Sequence, residues 1–188
     1  MRIALIATVA SLALLGACKG SDAGQGNNAS ANIATNATTS TVATGSSVVP
    51  QLATQPVGKD QAAALMHERH EGMETIGKAN KAISRELEGS SPNLKVIQDS
   101  AGKIASLAPK VPGWFPPGTG TEVGKTRAKA EIWQKPQDFA VKAHDLATAA
   151  AALQAAAGEG DLAKIKGAFD QLGKSCKACH DSYRAPEH

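Results

Sequence analysis

The chain has 188 residues, of which 42% are hydrophobic but only 3% aromatic. Its net charge, 20 − 17 = +3, is small and dispersed, which argues against a nucleic-acid-binding protein. The length fits a single domain. Abundant Ala and the lack of β-branched runs after residue 58 predict that this domain is all-α.

The first 17 residues have the pattern of an export signal. A short positive start, Met1-Arg2, precedes an apolar run over residues 3–15 that is shorter than the roughly 20 residues of a membrane span. The sequence Leu15-Gly16-Ala17-Cys18 resembles the bacterial lipobox, which implies cleavage after residue 17 and lipidation of Cys18. A plain periplasmic precursor is the alternative. By the same resemblance, Lys19 favours anchoring on the periplasmic side of the outer membrane.

Residues 18–58 form the second predicted region. After Cys18 this stretch is rich in Ser, Thr, Ala, Asn and Gly, and it has neither helical nor strand periodicity. It carries too little large apolar surface to offset the entropy of ordering. We expect a flexible tether between the lipid and a folded domain over residues 59–188.

Two helices are predicted at the start of that domain. Helix one runs from Asp60, as N-cap, to Glu88, with Gly89 as a left-handed stop. Helix two begins with Ser91 as N-cap and Pro92 in its first turn, and ends before Pro109. The inward stripe of helix one is predicted to comprise Met66, Arg69 or His70, Met73, Ile76, Asn80, Ile83 and Leu87.

A Pro- and Gly-rich crossover separates these helices from two more. The crossover spans residues 109–125, and its Trp114 and Phe115 are expected to cover one end of the core. Helix three begins near Pro136 and ends at Gly158-Glu159-Gly160, and Asp161 is the predicted N-cap of helix four. The inward stripe of helix four comprises Leu162, Ile165, Phe169, Leu172, Cys176, Cys179 and Tyr183. Four such helices around a cofactor predict a four-helix bundle.

The last helix carries the motif Cys176-Lys177-Ala178-Cys179-His180. Two thiols and an imidazole in this order form an attachment motif for a c-type haem, with thioethers to both Cys and His180 as the iron ligand. A zinc site needs about four N or S ligands, and the one remaining Cys lies in the signal region. A thioredoxin-like motif requires a βαβ setting that the sequence lacks.

Three segments resemble the cytochrome c′ family and its low-spin relatives. They are Gly173 to Arg184 around the haem motif, Phe115-Pro116-Pro117-Gly118-Thr119, and Ala128-Lys129-Ala130-Glu131-Ile132-Trp133. The resemblance covers residues 59–188 and implies an antiparallel four-helix bundle with one covalent haem c and its iron. Ala130 departs from the Pro that relatives often have, which puts only the local loop geometry in doubt.

The resemblance also assigns residues around the haem. The segment Arg69-His70-Glu71-Gly72-Met73 resembles the distal segment of the family, which implies that Met73 lies over the far face of the haem. In the low-spin branch this Met is the sixth iron ligand; the alternative is that Met73 only packs in the core. His70 could instead give bis-His ligation. Met66, one heptad earlier, is expected to be a core residue.

Three cations are candidate haem contacts by the same resemblance. Arg69 is implied to contact a propionate, against the alternative of a surface ion pair with Glu68 or another carboxylate. Lys129 is a second propionate candidate, against the alternative of a solvated loop lysine. Arg184 is implied to lie near the proximal imidazole, and it could also complement the C-terminus of its helix.

Two functions follow as expectations. The first is a monohaem cytochrome with low-spin His/Met iron that passes single electrons to redox partner proteins in the periplasm. The alternative is a high-spin cytochrome c′ that binds nitric oxide or carbon monoxide at an open distal site. A haem enzyme would need a distal acid–base residue, and only His70 is near, so we expect no enzyme. Whether the chain forms a homodimer is left open.

Overall fold

The computed structural model describes residues 52–186. The predicted signal, Cys18 and most of the predicted tether lie outside these residues. The described chain is helical, without a β-strand between residues 52 and 186. The helices are α1 (Lys59–Glu88), α2 (Leu94–Leu107), α3 (Glu131–Gln134), α4 (Pro136–Glu159) and α5 (Leu162–Tyr183), and a 3₁₀ segment, Ala108–Trp114, follows α2.

The four long helices form a bundle in which each packs on its neighbours in the chain. The closest packing joins α4 with α5, α1 with α2, and α2 with α4. A single apolar core runs through them and includes Ile83, Ile97, Leu153, Ile165 and Leu172, each almost completely buried. The predicted four-helix bundle is therefore confirmed. None of the helices within residues 52–186 is long and apolar enough to cross a membrane.

The buried face of α1 contains small residues as well as large ones. Its buried positions are Ala62, Arg69, Gly72, Ile76, Ala79 and Ile83, whereas Met66, Met73, Asn80 and Leu87 are half-buried. The predicted stripe is therefore rotated by about one residue. Small side chains such as Gly72 and Ala79 allow the neighbouring segments to approach closely, and hydrophobic periodicity does not register them.

Both predicted ends of α1 and the predicted start of α2 need correction. Asp60 lies in the first turn of α1, after Gly58, and makes no capping bond there. Gly89 ends α1 in an extended conformation (φ −73°, ψ 157°) rather than a left-handed one. The N-cap of α2 is Asn93, not Ser91, because the Asn93 side chain accepts hydrogen bonds from the backbone N–H groups of Lys95 and Val96.

The turn between α4 and α5 was predicted correctly. Gly160 ends α4 in the left-handed region (φ 75°), where glycine is the favoured residue. Asp161 then caps α5, and its Oδ1 accepts hydrogen bonds from the N–H groups of Ala163 (2.9 Å) and Lys164 (3.2 Å). Leu162, predicted to face inward, is instead exposed.

Replacing Asp161 with alanine should therefore lower the free energy of unfolding by about 1 kcal/mol, because two backbone donors at the start of α5 lose their acceptor. Chemical denaturation of both forms measures the difference. Asn retains an oxygen acceptor, so Asp161→Asn is the matched control and should stay within a few tenths of a kcal/mol of the parent, as Asn and Asp cap about equally well. Equal losses in the Ala and Asn variants would contradict this role.

The crossover and the residues that follow it connect the end of α5 and the residues before α1 to the body of the domain. An isolated antiparallel bridge pairs Ala128 with Arg184, and the N–H of Lys129 donates to the carbonyl of Tyr183 at 3.0 Å. On its other side, the N–H of Val57 donates to Pro117 at 3.1 Å, and Leu52 packs on the core. The folded contacts thus begin before Lys59, within the last residues of the predicted tether.

Candidate functional site

The α5 helix brings the three residues of the attachment motif to one face. Cys179 follows Cys176 by three positions and His180 comes next, so their side chains project from neighbouring positions of the same helix surface. Both Cys side chains are half-buried and pack against the apolar core, whereas His180 is exposed. The geometry supports two thioethers and one axial imidazole to a single group.

Burial sets the protonation states of the three motif side chains. Burial raises the pKa of the Cys176 thiol and raises that of Cys179 to about 11, so both are thiols at neutral pH. Desolvation, then the charges of Arg184 and Arg127, lower the pKa of His180, which favours the neutral imidazole that ligates metals. The residues present therefore fit a c-type haem.

The raised pKa of Cys179 has a measurable consequence in haem-free protein. Because the folded pKa of about 11 exceeds the ordinary value of 9.0, the folded state holds its proton more tightly than the unfolded state does. This contribution to stability is complete below about pH 9 and is lost as pH rises toward 11. At pH 8, iodoacetamide should alkylate Cys179 in folded protein about a hundredfold more slowly than in urea, as measured by mass spectrometry. Equal rates in the two conditions would contradict the shift.

The α1 helix faces α5 across a groove at one end of the bundle. Ser84 and Leu87 of α1 and Lys166 and Phe169 of α5 line this groove, which has a volume of about 240 Å³. The end of α1 therefore lies beside the first half of α5, so the two helices are antiparallel. Their backbones approach each other less closely than those of the tightly packed pairs.

Met73 lies on the α5-facing side of α1. It precedes Leu87 by two heptads, so both share one helix face. Leu87 and Phe169 line the same groove and so provide a common reference level for the two helices. At a rise of 1.5 Å per residue, Met73 is about 21 Å from Leu87 along α1, and His180 is about 16 Å from Phe169 along α5. Met73 and His180 thus lie within about one helical turn of the same level. Helix geometry therefore places the two residues predicted on either side of the haem at similar levels of the bundle, and a place for Met73 over the haem stays a prediction.

His70 occupies a different part of α1. It is exposed, and its ligand atoms lie within 4.8 Å of those of Glu71 and Glu74, which are also exposed. This placement makes Met73, which is half-buried and packed on the core, the better candidate for the residue over the haem. Met66, expected in the core, is also half-buried and lies near Gly124 of the crossover.

Arg69 is buried, with 6% of its surface exposed, and it binds the crossover. Its Nη1 and Nη2 both donate to the carbonyl of Thr119 at 3.2 Å, and Nη2 also donates to Thr126 Oγ1 at 3.0 Å. The guanidinium lies 4.6 Å from the centre of the Phe115 ring. The alternative of a surface ion pair with Glu68 is wrong, because Arg69 is inside the domain. Its contact with a propionate stays a prediction.

Lys129 and Arg184 both lie at the C-terminal end of α5. Lys129 Nζ donates to the carbonyls of Asp181 (3.2 Å) and Ser182 (3.4 Å), so it stabilises the negative end of the helix. It is more than a solvated loop lysine. The N–H of Arg184 caps α5 by donating to the His180 carbonyl, and the charge of Arg184 contributes, after desolvation, to the lowered pKa of His180. Haem contacts by either side chain stay predictions.

Several contacts around the site were not predicted from the sequence. Gly72 packs under the indole of Trp114, and Thr119 and Thr126 hold Arg69. The buried Tyr183 donates to Asp138 at 2.5 Å, which keeps its phenol in place one turn after Cys179. The one available signal was a glycine inside a long helical pattern, which often marks a close packing contact.

A four-helix bundle with a haem-attachment motif on its last helix defines the class of protein, and comparisons with known proteins agree. The family model for cytochrome C′ matches residues 64–184. The cytochrome c′ of Pararhodospirillum photometricum is 36% identical over 121 residues, which span 64% of this chain and 96% of the relative. Among solved structures, a cytochrome c′ described as having a ligand-controlled dimer dissociation is 30% identical (TM-score 0.62), covering 70% of this chain and 100% of that one. A nitric oxide complex of a variant cytochrome c′ from Alcaligenes xylosoxidans is 27% identical (TM-score 0.60), with the same coverage.

This chain therefore belongs to the cytochrome c′ family. Members of that family bind a covalent haem c with its iron, so the predicted cofactor is confirmed. The family comprises haem proteins rather than classical enzymes. Homologues can be dimeric.

Proposed function

We propose that this protein binds nitric oxide or carbon monoxide at the haem face directed toward α1. The haem would be held by Cys176 and Cys179 and ligated by His180. When bound, the haem would supply an iron that can bind a diatomic gas. The proposal is supported by membership of the cytochrome c′ family and by the nitric oxide complex of a homologue.

The observation that carries the proposal is the packing of Met73. Its side chain lies against the apolar core, together with residues such as Leu87 and Phe169. Methionine fills irregular spaces in cores more often than it ligates a metal. A packed, apolar Met73 would crowd the distal face of the haem without occupying the iron, which leaves that position for a small ligand.

Electron transfer through a low-spin His/Met iron has less support than gas binding at an open site. It requires the Met73 thioether to bind iron in addition to packing on the core, and the relatives that match this chain include a nitric oxide complex. Electron transfer to redox partner proteins in the periplasm was the function attached to that iron. We therefore propose gas binding as the main role.

A Met73→Leu variant tests the proposal, since leucine has a similar volume and no ligand atom. If Met73 only packs, the ferric spectrum should be unchanged, and the affinity of ferrous protein for carbon monoxide should stay within about threefold of the parent, because volume-conserving swaps are well tolerated. Leu65→Met, elsewhere on α1, is a control for general effects of exchanging the two residues. A parent that binds carbon monoxide only after Met73 is replaced would show that Met73 is the sixth ligand.

A further inference from the structure

Trp114, at the end of the 3₁₀ segment, contacts three residues in one turn of α1: Glu68, Arg69 and Gly72. Its Nε1–H donates to Glu68 Oε1 at 3.0 Å, and its carbonyl accepts from Arg69 Nη1 at 3.5 Å. Its indole covers Gly72: a Cβ atom there would lie 2.6 Å from Cζ2 and 3.0 Å from Cζ3, and closer still to Cη2. Real Cβ atoms do not approach other atoms so closely.

The indole itself is firmly held. Trp114 is 2% exposed and belongs to the apolar core. The following residue, Phe115, packs edge-on against Phe139 of α4 with ring centres 5.0 Å apart. The turn of α1 that contacts Trp114 is therefore packed against the buried core. The glycine at position 72 makes this close approach sterically possible.

The residue after Gly72 is Met73, on the α5-facing side of the same turn. Gly72 and Met73 are consecutive residues of one rigid helical turn, so a sideways displacement of this turn at Gly72 also displaces Met73. We infer that Trp114 is a positioning residue, which sets the place of Met73 over the haem and so the access of a gas to the iron. The inference rests on the proposed function for its gas-binding consequence.

Gly72→Ala in the holoprotein tests this inference, because the added methyl group must push the indole and α1 apart. We expect the rate of carbon monoxide association with ferrous protein to change by about tenfold, since a displacement of about 1 Å alters reactive geometry strongly. The ferric spin state, measured by electron paramagnetic resonance, should change with it. Gly77→Ala is the matched control, because nothing lies within 4 Å of a Cβ atom there; it should stay within about twofold of the parent.

A rescue variant separates this steric contact from general damage. Trp114→Phe removes the outer ring atoms that oppose Gly72, so the double variant Gly72→Ala with Trp114→Phe should return toward the parental rate and spin state. Identical behaviour of Gly72→Ala and Gly77→Ala would overturn the inference, and so would a double variant no closer to the parent. If Gly72→Ala does not accumulate as holoprotein, Trp114→Phe alone decides: a parental rate and spin state contradict the inference, and a change in both supports it.

Failure of the proposed function gives a different result. If the parent ferrous protein does not bind carbon monoxide, gas binding is wrong whatever the variants do. The ferric spin states of Gly72→Ala, Gly77→Ala and the double variant then still report whether the indole positions Met73. A change confined to Gly72→Ala and reversed in the double variant would support the positioning role alone.

Discussion

Replacing Arg69 with alanine should lower the free energy of unfolding by on the order of 3 kcal/mol or more, because buried hydrogen-bond acceptors then lose their donor. The guanidinium supplies hydrogen bonds to Thr119, Thr126 and the carbonyl of Trp114, and it lies over Phe115. None of these partners within residues 52–186 is a carboxylate, so the cation is held by dipoles and a ring face. Burial lowers the pKa of Arg69, but an arginine side chain remains protonated in proteins.

Chemical denaturation of the holoprotein, followed by circular dichroism, measures this loss. Arg85→Ala is the matched control, because Arg85 is an exposed arginine in the last turn of the same helix. Its loss should change the unfolding free energy by less than about 0.5 kcal/mol. Arg69→Lys should be nearly as damaging as Arg69→Ala, since a single ammonium cannot reproduce the planar donor fork. Equal effects at positions 69 and 85 would show that the buried network contributes little.

Replacing both Cys176 and Cys179 with serine should abolish covalent haem attachment, because a hydroxyl does not form the thioether that fixes the porphyrin. The mature protein would then lose the mass of haem under denaturing mass spectrometry and would give no haem stain after electrophoresis. Each single replacement should leave one thioether and lower the yield of holoprotein. Haem that remains covalently bound in the double variant would contradict attachment through this motif.

Cys18→Ser is the matched control for that experiment, since Cys18 is the remaining cysteine of the chain. We propose that Cys18 carries a lipid and that the protein lies at the periplasmic side of a membrane, as the N-terminal motif suggests. The variant should retain its covalent haem and lose incorporation of labelled fatty acid. Equal fatty-acid labelling of the parent and Cys18→Ser would show that Cys18 is not the lipid site.

The architecture could be predicted because it depends on local patterns. Hydrophobic spacing, the glycine at position 160 and the cap at Asp161 all act within a few residues, and the structure agrees with them. Where several cap-forming residues lie close together, as before α2, the local pattern did not determine which of them is the N-cap. Asn93 rather than Ser91 begins α2, since Asn93 also has its own N–H bound by Glu86 Oε2, at 2.8 Å, from the end of α1.

The surroundings of the site depend on contacts between distant parts of the chain, and these were not predicted. Arg69 and Thr119 are 50 residues apart, and the indole that covers Gly72 lies in the crossover. An arginine on an inward helix face indicates a buried partner, but the sequence does not identify it. The resemblance suggested a propionate, whereas the structure shows backbone carbonyls and a hydroxyl as the partners that the protein itself provides.

The most direct test of gas binding is the optical spectrum of purified holoprotein, ferric and ferrous, before and after addition of carbon monoxide. We expect a high-spin spectrum whose ferrous form shifts when the gas is added, because a Met73 that only packs on the core would leave the iron accessible. A low-spin spectrum that carbon monoxide does not change, with the weak long-wavelength band of Met–iron ligation, would contradict gas binding and establish the His/Met iron of an electron-transfer protein.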